Sequence, residues 1–167
     1  MSRFDQDGPD DLDSLLAYGR WMGRRKAVLN GRPGKDALKE LEQVLLQLPH
    51  KKLIKGGLCN GEAVCAMGGW LYRHWVEGGM RPKDAWKKLR SVGRQGKEPW
   101  GDSYEELERT IEAGSTELGI TKTLAEVVAY INDEEGYFLW KHGDQQLTER
   151  YNFVLKKVRR YIEFGVP

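Results

Sequence analysis

A chain of 167 residues, 40% hydrophobic and 31% charged, has the size of one domain and the composition of an ordinary globular protein. Two cysteines make no disulfide framework, and no apolar run approaches the ~20 residues that span a bilayer. The net charge of +2 hides a segregation: residues 20 to 97 carry 18 Lys/Arg against six Asp/Glu, and residues 102 to 135 carry ten acids against Arg109 and Lys122. Such asymmetry points to a charged partner if it survives folding.

Residues 1 to 9 read as a flexible acidic arm and residues 10 to 167 as a single helical domain. The opening MSRFDQDGPDDLDSLL lacks the apolar segment of a secretory signal, so a cytoplasmic location is expected. A first helix starts near Asp10 and carries Leu12, Leu15, Leu16 and Trp21, and the glycine-bearing GRRKAVLNGRPGK that follows reads as a linker or exposed arm. Leu38, Leu41, Val44, Leu45 and Leu48 recur at helical spacing until Pro49.

The stretch GEAVCAMGGWLYRHWVEGG is apolar on nearly every side and predicts one buried helix over 62 to 77, in the middle of a bundle. Gly68 and Gly69 lower its helix propensity, so close approach by a neighbouring helix is their expected benefit. Glu62, Ala66, Gly69, Arg73 and Glu77 form the stripe that would face water or a groove.

Pro82 suits the first turn of a helix ending before Gly93. Ser103 with Glu106, and Thr123 with Glu126, fit capping boxes; Gly119 closes the first of these helices. The aromatic YFLW at 137 to 140 lies in a connection. A last helix buries Leu147, Tyr151, Val154, Leu155, Val158 and Ile162 and turns Lys156, Lys157, Arg159 and Arg160 mostly outward. No alternating strand pattern competes, so the expected fold is an all-α, single-domain orthogonal bundle of about six helices.

Catalytic and metal chemistry find little support. Cys59, Cys65, His74 and His50 match no common zinc spacing. Cys65 and His74, nine residues apart, would point to opposite faces of a helix at ~100° per residue. A cysteine nucleophile lacks a glycine elbow and an oxyanion turn. Asp133, Glu134 and Glu135 could serve acid–base chemistry, although acids just past a helix are usually solvated. GRPGK lacks the spacing and the hydroxyl residue of a phosphate-binding loop. No metal and no cofactor are expected.

Binding chemistry is better represented. Trp21 sits among Arg20, Arg24, Arg25 and Lys26; Trp70 and Trp75 flank Arg73 and His74; Trp86 precedes Lys87, Lys88 and Arg90. Indoles beside cations can stack on bases and neutralise phosphates. Trp75 and Trp86 fit core positions better, whereas for Trp21 the core and binding readings stay open. The candidate anion-binding surface is therefore Arg20, Trp21, Arg24, Arg25, Trp70, Arg73, His74, Lys87 and Lys88. Glu105, Glu106 and Glu108 offer an acidic alternative that would imitate nucleic acid, and the YFLW patch is a third candidate interface.

At VCAMGGW and at AYINDEEGYF…ERYNFVLKKVRRYI the chain resembles small uncharacterised proteins of bacteriophages and prophages. These carry a Cys-Ala-Leu-Gly or Cys-Cys-Leu-Gly helix motif and, farther on, a helix ending in Asn-Asp. The matching positions are Cys65, Ala66, Gly68, Asn132 and Asp133. Met67 and the basic-then-acidic insertion depart from the pattern. The resemblance implies a phage accessory protein and no activity; Asn132 and Asp133 are expected to cap and pin a helix end. Taken together, the expectation is a non-enzymatic, phage-encoded protein that binds and inhibits a host protein or nucleoprotein complex. A nucleic-acid or nucleotide-binding module is the alternative, and a hydrolase using Asp133 or Glu135 the third.

Overall fold

The computed structural model describes residues 12–61, 63–94, 103–133 and 143–167. Seven helices are found among them: α1 (Leu12–Asn30), α2 (Arg32–Leu46), α3 (Ala66–Glu77), α4 (Pro82–Arg94), α5 (Ser103–Leu118), α6 (Lys122–Asp133) and α7 (Gly143–Phe164). Two short antiparallel strands, β1 (Cys59–Asn60) and β2 (Ala63–Val64), form a hairpin ahead of α3. The described residues are therefore mainly helical, and among them lies one hairpin that no alternating pattern announced.

The core gathers around α3, which packs against α2, α4, α5 and α6. Met67, Trp70 and Leu71 of α3 meet Leu38, Leu41 and Leu45 of α2, Leu89 of α4, Ile111 of α5 and Val128 of α6 in one apolar cluster. α7 lies along α2 and buries Tyr151, Val154, Val158 and Tyr161. The Tyr151 hydroxyl donates to the Leu45 carbonyl at 2.9 Å, so even the aromatic edge of that contact is satisfied.

Several expectations change. The segment expected as one helix over 62 to 77 begins its helix only at Ala66, because residues 63 and 64 pair with 60 and 59. Gly68 does sit at a close approach, but what approaches is hairpin backbone: a Cβ there would lie 1.9 Å from the Leu58 carbonyl oxygen. The stripe expected to face water does not do so as a whole, since Ala66 and Gly69 are buried; Glu62 lies outside the described residues.

The expected linker GRRKAVLNGRPGK is helical, completing α1 and opening α2. Tertiary anchors outweigh its glycines. Gly34 lets α2 cross the end of α1, where a Cβ would meet the Val28 carbonyl at 2.0 Å. Asn30 then clamps the C-terminal tail, its amide donating to the Val166 carbonyl at 2.8 Å and accepting the Val166 N–H at 2.7 Å.

α4 runs through Gly93 to Arg94. The cap of α6 is Thr121, whose hydroxyl accepts the Leu124 N–H at 3.1 Å, and not Thr123. The YFLW segment, Glu134 and Glu135, and the 1 to 9 arm lie outside the described residues.

Candidate functional site

The two stretches at residues 65–68 and 132–133 converge on one buried polar knot. Cys65 is the N-cap of α3, its sulfur accepting the Gly68 N–H at 3.2 Å. The next free backbone donor of that helix end, the Ala66 N–H, gives its hydrogen bond to Asn132 Oδ1 at 2.9 Å. Asn132 Nδ2 donates to the Ile54 carbonyl at 2.9 Å and to Asp133 Oδ1 at 2.6 Å. Asp133 Oδ1 in turn accepts the Gly56 N–H at 3.2 Å. The Asn-Asp pair was expected to pin its own helix end; it pins instead the 54–56 loop and the start of α3.

Arg150 completes the knot and was missed in the sequence. It is wholly buried (0% exposed), and its guanidinium donates to the Asn132 carbonyl. Burial pulls its pKa below the usual guanidinium value, and the neighbouring Asp133 works against that shift. The signal was present: Arg150 precedes Val154, Val158 and Tyr161 on the inward stripe of α7.

This chemistry is architectural. Burial, reinforced by the charge of Asp133, pushes the Cys65 thiol up to about 12, so the sulfur is held as a thiol rather than the nucleophilic thiolate. Asp133 is 8% exposed and engaged by two donors, leaving it poorly placed for acid–base work on an outside substrate. Among the described residues no three His, Cys, Asp or Glu side chains gather as a metal site.

The candidate anion-binding residues are dispersed. Trp21 turns inward: its indole N–H donates to Glu126 Oε2 at 3.2 Å, and its ring meets Tyr130 edge-on at 5.9 Å. Arg25 donates to the Tyr161 hydroxyl at 2.6 Å and lies over the Tyr161 ring at 5.5 Å. Trp70 is 1% exposed and offers no face for stacking, a correction to its place in the binding cluster. Arg73 pairs with Glu77 at 3.0 Å and also donates to Gln47, while His74 and Lys87 are exposed. Lys88 bridges Glu117 at 3.2 Å, lying over the Trp75 ring at 4.5 Å; Glu117 also accepts from the Trp75 indole at 3.2 Å.

Arg20 and Arg24 are exposed on α1. α1 packs on α2, α6 and α7, whereas α4, with Lys87 and Lys88, packs on α3, α5 and the hairpin. The basic and acidic halves of the sequence also meet, since α4 packs on α5. Of the acidic alternative, Glu105 pairs with Arg109 at 3.4 Å, Glu106 lies against the Gly56 backbone, and Glu108 is half-buried.

One surface gathers what folding elsewhere separates. On the outer side of α7, Lys156, Arg159, Arg160, Phe164 and Pro167, together with the acid Glu163, line a shallow open groove. Phe164 is 72% exposed. Lys157, on the next ridge, lies 5.8 Å from the Phe153 ring centroid and 5.9 Å from that of Tyr161, the ring that Arg25 also covers. Arg159 is shared with Glu42 at 3.4 Å. The sequence reading took these cations as a solvated face; the signal it passed over was an aromatic residue just past the last buried position, Tyr161.

No helix of the described residues is long and apolar enough to cross a membrane. Comparison with family models, with curated proteins and with solved structures found no match.

Proposed function

We propose that this chain is a cytoplasmic binding protein, packed as an orthogonal helical bundle, without a reaction of its own. It docks on a host protein or nucleoprotein complex through the basic groove of α7. The carrying observation is that groove: Lys156 and Arg160 are exposed beside Phe164, with Lys157 and Arg25 stacked on the adjoining Tyr161. An exposed aromatic sharing a groove with Lys156 and Arg160, which outnumber its acid Glu163, supplies both halves of an interface, an apolar anchor and an electrostatic guide towards an acidic partner. The small size and the segregated charge, with the resemblance to phage and prophage proteins, favour a host complex as the partner and its inhibition as the consequence of docking. Buried Trp70 and inward-turned Trp21 weaken the alternative in which indoles stack on a nucleotide.

Capture from host lysate tests the reading. The parent chain should retain a defined acidic partner that Lys156→Glu/Arg160→Glu does not, and the capture should fall with salt. Equal capture by both forms at high salt would overturn it.

A further inference from the structure

The N-terminal half of α1 presents an apolar stripe to solvent. Every residue from Leu12 to Arg20 is exposed, and burial of α1 begins at Trp21. Leu12, Leu15 and Leu16 are 69%, 51% and 47% exposed. At ~100° per residue, Leu12, Leu16, Gly19 and Gly23 fall within about 60° of one another, with Leu15 on the shoulder and Trp21 on the opposite side. A Cβ at Gly19 or Gly23 would meet nothing within 4 Å, so the two glycines leave shallow notches in the same face. A helical stretch this short gains little stability in water without packing on an apolar face, and contiguous exposed apolar surface marks an interaction site.

Charge decides what fits. Asp13, Arg20 and Arg24 lie within about 40° of one another along one flank of the stripe, the acid at its N-terminal end and the cations beyond its middle. A partner helix running antiparallel would need the reverse order, cations opposite Asp13 and an acid opposite Arg20 and Arg24. A second copy of this helix, related by a two-fold axis, supplies that order on the same flank. We infer that two copies of this chain pair through antiparallel α1 helices.

The register follows. Centred between Ala17 and Tyr18, the pairing sets Leu16 against Gly19 of the second copy and Leu12 against Gly23. Asp13 then falls between Arg20 and Arg24 across the interface. Knob and notch match twice, and the charges match twice, because the contact is isologous. A contact of about three turns per helix is small beside the standard interface of about 1,600 Å², so the dimer is weak and concentration-dependent. It is separate from the α7 groove and places two grooves in one particle, which raises avidity for a repetitive partner.

Sedimentation equilibrium of the full chain over a wide concentration range tests the pairing. The parent should show reversible monomer–dimer exchange, and Leu16→Glu should be monomeric with the melting temperature of the parent monomer. Asp13→Arg alone, and Arg20→Asp/Arg24→Asp alone, should each weaken self-association by about tenfold, the effect of like charges facing each other twice. An equimolar mixture of those two forms should regain the parent affinity as a heterodimer, which no effect on folding would produce. A parent that stays monomeric throughout overturns the inference, as does a mixture no tighter than its components. So does a monomer whose melting temperature falls with Leu16→Glu, since that stripe would then be covered by its own chain. Lysate capture reads the α7 groove independently of all these outcomes.

Discussion

The Asn132 side chain accepts the Ala66 backbone N–H at 2.9 Å across 66 residues of sequence, joining the end of α6 to the beginning of α3. The same side chain donates to Ile54 and Asp133, so three segments are held by one amide. Asn132→Ala would strand buried donors and acceptors, each worth about 1–3 kcal/mol when left unsatisfied. The expected result is a stability loss of about 2–4 kcal/mol in denaturant unfolding; an unchanged midpoint would mean that the knot is not structural.

Gly68 and Gly93 should respond to alanine with opposite signs. A Cβ at Gly68 lies 1.9 Å from the Leu58 carbonyl oxygen, which belongs to backbone and cannot swing aside. Gly68→Ala is therefore expected to destabilise by about 1–3 kcal/mol or more. In α4, a Cβ at Gly93 would find only ordinary contact with Leu58, at 3.8 Å, so Gly93→Ala should stabilise by roughly 0.5–1 kcal/mol through the unfolded chain. Calorimetric melting of the pair distinguishes the signs.

Cys65 should be the slow thiol. It is 3% exposed and stays protonated through neutral pH, its pKa pushed up to about 12. Native alkylation at mildly alkaline pH should label half-buried Cys59 first, and both only after denaturation. Because the folded pKa lies above the unfolded value of 9.0, the stability from this buried thiol is complete below pH 9.0. It is lost as pH rises from there towards about 12, where the unfolded chain ionises first. Cys65→Ala should remove that part of the alkaline loss.

Arg24 and Arg25, adjacent in sequence, should separate in stability. Arg24 is exposed, and Arg24→Glu should stay within about 0.5 kcal/mol of the parent. Arg25 binds the Tyr161 hydroxyl and ring. Arg25→Glu should lose about 1–2 kcal/mol, from a charged hydrogen bond and a cation–π contact. Chemical denaturation of the two single variants is the check; equal effects would undo the placement of α1 on α7.

The helical class, the inward stripes of α2 and α7 and the span of α5 were legible in the sequence, whereas the start of α2 was read as linker. Leu38, Leu41, Val44 and Leu45, and Val154 and Val158, fall on the inward stripes their spacing predicts, and Gly119 follows the end of α5. Amphipathic periodicity is local information, written within a few turns of the helix that uses it. The continuation of α1 through its glycine-rich half was not legible, because its anchors, Glu126, Tyr161 and Val166, are more than a hundred residues away in sequence. Thr121 and Thr123 both fit a cap, and only the hydrogen bond to Leu124 separates them.

The site divides in the same way. The sequence singled out Cys65, Gly68, Asn132 and Asp133 without revealing that they meet, and passed over Arg150, which joins them. It grouped Arg20, Arg25, Arg73 and Lys88 by proximity along the chain. Folding gave Arg25 to Tyr161, Arg73 to Glu77 and Lys88 to Glu117, while Arg20 stays exposed. A residue's type and local period follow from the sequence, whereas the partner of a charge is set by which helix faces come together. That choice, made by burying the apolar stripes, decided which cations are engaged within the fold and which line the groove on α7.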